Sequence, residues 1–236
     1  MRAQIETLDL LSNNLANAAT NGYKADQEFF RQFVTALAEP GARGGDVAWM
    51  PVVQGSVTDF QQGPIQATQA PLDVALSGPG FLVAEGPSGP LYTRSGSLTL
   101  SSQGELKTAD GWPVLDPRGR PITLPRAGQI EISQAGVVSV DGVRFAQLGV
   151  VEFAGPPPLA KFGRNYFQAG ASATPQPAAS TLVYQGSLEG SNVSAPLAAV
   201  RLIQAGRHFQ MLSRAASLVD SEMTGRAVQE LGRTGG

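Results

Sequence analysis

LAAVRLIQAGRHFQMLSRAASLVDSEMTGRAVQEL, residues 197–231, is the stretch from which the rest of the chain is read. Within it Leu202, Ala205, Phe209, Leu212, Ala216, Val219 and Met223 recur at alternating spacings of three and four. That is the seam of a coiled-coil-like helix, kept for roughly three heptads. Leu197, Met211 and Leu218, with Ile203 near by, form a second apolar line. A two-stranded coil needs only one narrow seam, so this wider arc predicts several helical neighbours. Arg207 and Arg214 fall opposite the seam, toward solvent or an acidic neighbour. Gly206, which costs about 1 kcal/mol against Ala in mid-helix, leaves room for a close helix approach. Ser194 or Ala195 is the expected cap, with Pro196 in the first turn, where it forfeits no hydrogen bond. At 1.5 Å per residue such a helix runs roughly 50 Å, too long for a small β domain to cover.

The other end carries a shorter version of the same pattern. From Met1 to about Ala19 an apolar stripe runs through Leu8, Leu11, Leu15 and Ala18. No capping residue precedes it, so the natural helix is expected to begin upstream of Met1. It is expected to end near Asn21-Gly22, where glycine supplies the left-handed conformation that closes many helices. Asn13, Asn14 and Asn17 stand beside the stripe. They read either as a polar shoulder on an exposed face or as buried groups that fix the register of a bundle. Phe29, Phe30, Phe33 and Leu37 then give Asp26–Leu37 the apolar face of a short second helix. EPGARGGD, residues 39–46, reads as a loop and a domain boundary.

Between the two ends the pattern changes to short strand-like runs separated by turn residues. Candidate strands are Asp73–Leu76, Phe81–Glu85, Leu91–Arg94, Ser97–Leu100, Glu105–Thr108, Ile130–Ser133, Val137–Val140 and Gln147–Phe153. Gln103-Gly104, Asp110-Gly111 and Asp141-Gly142 punctuate them, the last within VVSVDGVRF as a strong hairpin signal. Gly155–Pro158 reads as a stiff connection and Ala169–Ser180 as an exposed, mobile loop. The predicted fold class is α+β. A mostly-β central domain of sandwich or barrel type (47–189) is flanked by an N-terminal helical segment (1–38) and a C-terminal helix (190–236). The two helical segments are expected to pair in a coiled-coil-like domain.

Composition narrows the function. The net charge of −2 argues against a protein that works by binding phosphate backbones, so no nucleic-acid partner is expected. With no cysteine, disulfides, thiolate metal sites and cysteine nucleophiles are excluded. No run approaches the length of a membrane-spanning helix, and the first residues lack the apolar core of a cleavable signal. His208, the sole histidine, has no carboxylate three or four residues away on its helix and reads as a surface or interface residue. No nucleophile elbow or phosphate loop is present, and Asp73, Asp110, Asp116 and Asp141 are scattered turn residues. The sequence calls for no catalysis, no cofactor and no metal.

At this point LLSNNLANAATNGYKADQEFF, through Asn13, Asn14, Leu15, Ala16, Asn17, Thr20, Gly22, Tyr23 and Lys24, resembles the N-terminal signature of flagellar rod and hook proteins. PLDVALSGPGFLVAE and LYTRSGSLTLSSQGELKTADGWPVL resemble that family's β domain, as does the hairpin after Ile130. YQGSLEGSNVSAPLAAVRLIQAGRHFQM resembles its C-terminal signature, carried by Gly190, Ser191, Asn192 and Val193 and the helix from Pro196. The resemblance implies an axial protein of the bacterial flagellum whose terminal helices build the inner tube while the β domain lies outside. It implies export through the flagellar type III apparatus without a cleavable signal, a place in the periplasm-spanning rod, and copies of itself and other axial proteins as partners. PLDVAL, LEGSNV, RHFQM and the short length favour the proximal-rod type over the distal-rod or hook type. The residues nominated for the assembly interface are Leu8, Leu11, Asn14, Leu15, Asn17, Ala18, Leu202, Ala205, Phe209, Leu212, Ala216, Val219 and Met223. Two other readings fare worse: a secreted glycan-binding module, for which Trp49, Trp112, Tyr92 and Tyr166 are too spread along the sequence, and an enzyme acting on peptidoglycan, which needs paired carboxylates where Glu85, Glu105 and Glu131 read as ordinary strand-surface residues.

Overall fold

A computed structural model describes residues 2–35, 48–125, 128–155, 159–170 and 173–234. The chain opens with helix α1 (Arg2–Ala16) and closes with helix α2 (Ala195–Thr234). Between them run β1 (Asp26–Thr35), β2 (Ala48–Thr58), β3 (Ile65–Ala67), β4 (Val74–Ser77), β5 (Phe81–Gly86), β6 (Gly89–Thr93), β7 (Leu98–Leu100) and β8 (Leu106–Thr108). They are followed by β9 (Ile130–Ile132), β10 (Val137–Val140), β11 (Val143–Gln147), β12 (Val150–Phe153), β13 (Leu159–Phe162), β14 (Tyr166–Ala169), β15 (Pro175–Pro177), β16 (Leu182–Gln185) and β17 (Ser187–Glu189). A mostly-β body between two terminal helices is therefore the architecture.

The chain divides into two compact units. The first comprises residues 1–16, 26–58 and 195–236: α1, α2 and the antiparallel β1–β2 pair, in which Asp26 faces Thr58 and Thr35 faces Ala48. The second comprises residues 17–25 and 59–194. Its largest sheet is antiparallel, in the order β13-β14-β6-β5-β12-β15, and is joined by the three-stranded sheet β11-β10-β9 and the pairs β16-β4, β17-β3 and β7-β8.

Side-chain alternation explains why β5 reads as an unbroken apolar run. Leu82 enters one buried cluster with Leu76, Leu106, Val114 and Val138, while its neighbour Phe81 enters another with Tyr92 and Phe167. Successive residues of a strand point to opposite faces, so a strand buried on both sides shows no polar half. The second cluster is aromatic. Phe60, Phe81, Phe153, Phe167 and Tyr92 meet edge to face with ring centroids 5.1–6.0 Å apart. Tyr92 and Tyr166 are buried, so neither offers an exposed platform for a glycan.

Three expectations need correction. Asp26–Leu37 is not a second helix; from Asp26 to Thr35 it is β1. The phenylalanine spacing fits a helical face, but aromatic and β-branched residues also favour extended chain, and the long ladder with β2 decides the outcome. Helix α1 stops at Ala16 rather than near Asn21-Gly22, so Asn17 and Ala18 lie in the following turn, where Thr20 N donates to Asn17 O. The segment Ala169–Ser180 is not all loop, because β15 pairs with β12 at the edge of the large sheet. Its two prolines suit an edge strand, where a missing N–H costs least. The boundary expected over residues 39–46 and the prolines at 156–158 lie outside the described residues.

Candidate assembly interface and its anchoring cluster

In the first unit α1 packs against α2. Among the described residues α2 fully buries only Ala198 and Ala205, one heptad apart, with Leu202 and Phe209 half-buried beside them. Leu8, Leu11 and Leu15 are half-buried on α1. The burial fades along α2: Leu212 is 39% exposed and Ala216 is exposed. Length accounts for this, since a 15-residue helix spans about 22 Å and a 40-residue helix about 60 Å. The side chains of Val219 and Met223 lie outside the described residues. The second apolar line is open to solvent, with Leu197, Ile203, Met211 and Leu218 all at least half exposed. A Cβ added at Gly206 would meet nothing within 4 Å.

Asn14 is buried and ties α1 to the hairpin. Its Nδ2 donates to Asp26 O (2.8 Å) and its Oδ1 accepts from Asp26 N (3.0 Å). One side chain thus serves both backbone groups of the first residue of β1. Asp26 Oδ1 in turn accepts from Thr58 Oγ1 (2.8 Å), at the far end of β2.

In the second unit the segment after α1 and the segment before α2 are fastened to each other. Lys24, Arg94 and Glu189 form a buried ionic cluster, and both Lys24 and Glu189 are wholly inaccessible. Lys24 Nζ donates to Glu189 Oε1 (2.6 Å) and to Gln61 O (2.6 Å). Gly63 N also donates to Glu189 Oε1 (2.9 Å), and Arg94 Nη1 reaches Glu189 Oε2 (3.4 Å). The Arg94 guanidinium lies 4.8 Å from the centroid of the Phe81 ring, and its Nε has no hydrogen-bond partner. Burial lowers the pKa of Lys24 and of Arg94, and in both the charge of Glu189 acts in the opposite direction. Two cations against one carboxylate leave Glu189 as the group on which the cluster depends.

Backbone contacts extend the fastening. Gly22 N donates to Glu189 O (2.8 Å), and Asn192 Oδ1 accepts from Ala25 N (2.7 Å) while its Nδ2 donates to Asp59 O (2.8 Å). Lys161 Nζ donates to Lys24 O (2.7 Å) and sits 4.4 Å above the ring of buried Tyr23. Gly22 has φ +71°, and a Cβ there would collide with the backbone N of Ser95. A Cβ on Gly63 would likewise strike the carbonyl oxygen of Gly190. Only glycine allows the chain to pass at these two points.

Arg94 and Glu189 of this cluster fall in segments that match known protein families. Residues 75–140 match the domain described as flagellar hook protein FlgE/F/G D1, and residues 184–229 match the C-terminal domain of flagellar basal body rod FlgEFG proteins. The chain is 33% identical to the flagellar basal-body rod protein FlgF of Caulobacter vibrioides over 231 residues, covering 96% of this chain and 92% of that protein. The chain belongs to the flagellar rod and hook protein family. The rod protein FlgG of Buchnera aphidicola subsp. Schizaphis graminum is 29% identical over 92% of each chain. The hook protein FlgE of Brucella abortus is 34% identical over 49% of this chain and only 28% of its own length. Likeness to rod proteins thus runs the whole chain, whereas likeness to the hook protein covers half of it.

Seen as a family member, the chain brings the signature residues of its two ends together through Lys24 and Glu189, which lie 165 positions apart. Of the nominated interface residues, Leu8, Leu11, Leu15, Leu202, Ala205 and Phe209 lie on the helix pair, and Asn14 joins α1 to β1. Asn17 and Ala18 lie off the helix in the second unit. Lys24, Arg94, Glu189 and Asn192 were not singled out as a site. The runs NGYK and EGSNV named the right segments, but nothing in one sequence pairs a lysine at one end with a glutamate at the other.

Proposed function

We propose that this chain is a structural axial subunit of the flagellar basal-body rod, assembled through α1 and α2 and transmitting torque across the periplasm. Copies stack head to tail in an open, heterologous arrangement, which extends a filament instead of closing a ring. The exposed apolar surface of α2 is the single observation that carries this reading. Contiguous exposed apolar surface on a folded chain marks an interaction face, and α1 is too short to cover this one. The terminal segments thereby form the helical rod core, paired as in a coiled coil, and the β body forms the outer layer. Full-length likeness to FlgF favours the proximal rod, with the distal rod as second reading. Export proceeds through the flagellar type III apparatus, without insertion into the membrane; among the described residues no helix is long and apolar enough to cross one. The family is structural, and no catalytic step is assigned.

Phe209→Asp or Leu212→Asp in the full chain tests the seam. Either variant is expected to abolish motility and leave no rod in purified basal bodies, while the β body unfolds at its usual temperature. Normal motility with both variants would remove the seam from the function.

A further inference from the structure

The second unit carries an open cleft of about 610 Å³ between the turn at residues 116–123 and residues 144–147 of β11. Three exposed arginines line it, Arg118, Arg120 and Arg144. The one carboxylate in its lining, Asp116, is already engaged. Its Oδ2 accepts from Arg120 Nε (3.1 Å) and Nη2 (2.8 Å), and its Oδ1 accepts from the backbone N of Arg118 (2.8 Å) and of Arg120 (2.9 Å). Among the described residues Arg118 and Arg144 have no carboxylate within ion-pair distance. The cleft thus holds two cations without a counter-charge. Beside them stands Phe145, 49% exposed. Neighbours in a regular strand point to opposite faces, yet Arg144 and Phe145 both line the cleft. A β-bulge accounts for this: Ser139 faces Arg144 and Val138 faces Ala146, so Phe145 has no partner in the ladder and is re-aimed. β11 is also the outer strand of its three-stranded sheet.

We propose that this cleft binds an extended acidic segment of another protein, with its carboxylates on Arg118 and Arg144 and an apolar side chain on Phe145. The planar guanidinium fork matches a carboxylate in shape as well as charge. An outer strand offers main-chain hydrogen bonds to a segment laid along it. A bulge and a charge on such a strand guard it against pairing with chains at large. Arginines turn that guard into selection, because a neutral or cationic segment leaves them unmatched and an acidic one does not. A neutral glycan would leave both cations unmatched in the same way. Among strands β1 to β17 only β1 carries more than one acid, and it is paired with β2 while Asp26 Oδ1 holds Thr58. The occupant is therefore a different protein. The cleft lies wholly in the second unit, and its ligand is independent of assembly through α1 and α2.

A capped, fluorescently labelled octapeptide of alternating glutamate and valine is the probe, with its binding to the full chain read by anisotropy at low salt, where exposed charges act most strongly. Exchanging its glutamates for lysines is expected to weaken binding about tenfold or more, and so is Arg118→Glu with Arg144→Glu in the chain. Phe145→Ser is expected to weaken it about threefold or more, from the lost apolar contact. Arg120 stays in place in every variant, because its bonds to Asp116 shape the turn. Arg118→Gln with Arg144→Gln gives the same reading if charge reversal disturbs the fold. Equal affinity for the acidic and lysine peptides, or undiminished affinity in the charge-reversed and glutamine chains, overturns the proposal. So does binding of purified peptidoglycan fragments without binding of the acidic peptide, or self-association through Arg118 and Arg144 in place of peptide binding. The motility of Phe209→Asp is unaffected by any of these outcomes and tests the rod-subunit reading separately.

Discussion

Replacing Glu189 by glutamine removes the one carboxylate that both buried cations contact and leaves Lys24 and Arg94 only the more distant charges of Asp59 and Glu152. Breaking a buried ion pair from one side costs about 3–5 kcal/mol, because the remaining charge stays desolvated. Here two cations are stranded, so the upper part of that range applies to Glu189→Gln. Lys24→Met makes the opposite change. The cluster then keeps Arg94, Glu189 and the Gly63 N–H, with one charge of each sign. What is lost is chiefly the bond from Lys24 to Gln61 O, which keeps Asn192 Nδ2 as a donor at 3.3 Å, so the cost is that of one ordinary hydrogen bond, about 1 kcal/mol. The ordering Glu189→Gln well above Lys24→Met therefore follows from charge balance alone. Urea unfolding of the full chain gives the two free energies. Limited trypsin digestion gives a local reading, since cleavage after Lys24 requires the wholly buried side chain to come out. Glu189→Gln should expose that site and Lys24→Met should delete it. If Lys24→Met destabilises as much as Glu189→Gln, charge balance is not what holds the cluster.

Three further outcomes follow from the geometry. Gly22→Ala combines a left-handed backbone with a collision against the Ser95 backbone, and should lower stability by more than about 2 kcal/mol in thermal or urea unfolding, above the 1–2 kcal/mol of left-handed strain alone. Asn14→Ala removes the side-chain bonds to both backbone groups of Asp26, and should cost about 1–3 kcal/mol, read as faster hydrogen exchange at the Asp26 amide. Burial raises the pKa of the Tyr166 hydroxyl above its ordinary value near 10; the bond to Thr108 acts against this and Asp110 adds to it. The folded state therefore resists its ionisation. Stability is intact below about pH 10 and falls as pH rises, by about 1.4 kcal/mol per unit for this group. Between pH 10 and 11, where the unfolded group is still only part ionised at the start, Tyr166→Phe should remove about 1 kcal/mol of the fall in unfolding free energy measured by urea.

Local chemistry made part of the fold legible. Asp141 and Gly142 both have positive φ, as the tightest hairpin turns require, and β10 and β11 pair on either side of them. Helix α2 was legible because its apolar periodicity is a property of one short stretch. What escaped was non-local. β1 carries three phenylalanines at a spacing that suits a helix, and only its partner β2 settles the matter. β15 is Pro-Gln-Pro and shows no alternation of its own, so its pairing with β12 had no signal in the chain. The asparagines were read as either exposed or register-fixing. Asn14 is buried, but the register it fixes is that of α1 against a strand, which a helix-bundle argument could not supply.

The choice of charged rather than apolar side chains at the Lys24–Glu189 contact has a physical reason in the strands that carry it. β3 and β17 have only three residues each, and Ser187, Leu188 and Glu189 pair with Ala67, Gln66 and Ile65. So short a ladder specifies its register weakly, and a slip of one residue turns each side chain to the opposite face. An apolar contact would tolerate that slip, since Leu188 could take the place of a neighbouring aliphatic group. A carboxylate cannot be exchanged in this way, because the slipped strand would present Leu188 or Gly190 to two buried cations. Glu189 thus disfavours a slipped register of this short ladder. Only Gly190 to Ser194 separate it from the first residue of α2. The ionic cluster therefore sets the register of the short strand that ends just before α2, a task of specificity that gives a buried charge its use even where an apolar core would be as stable.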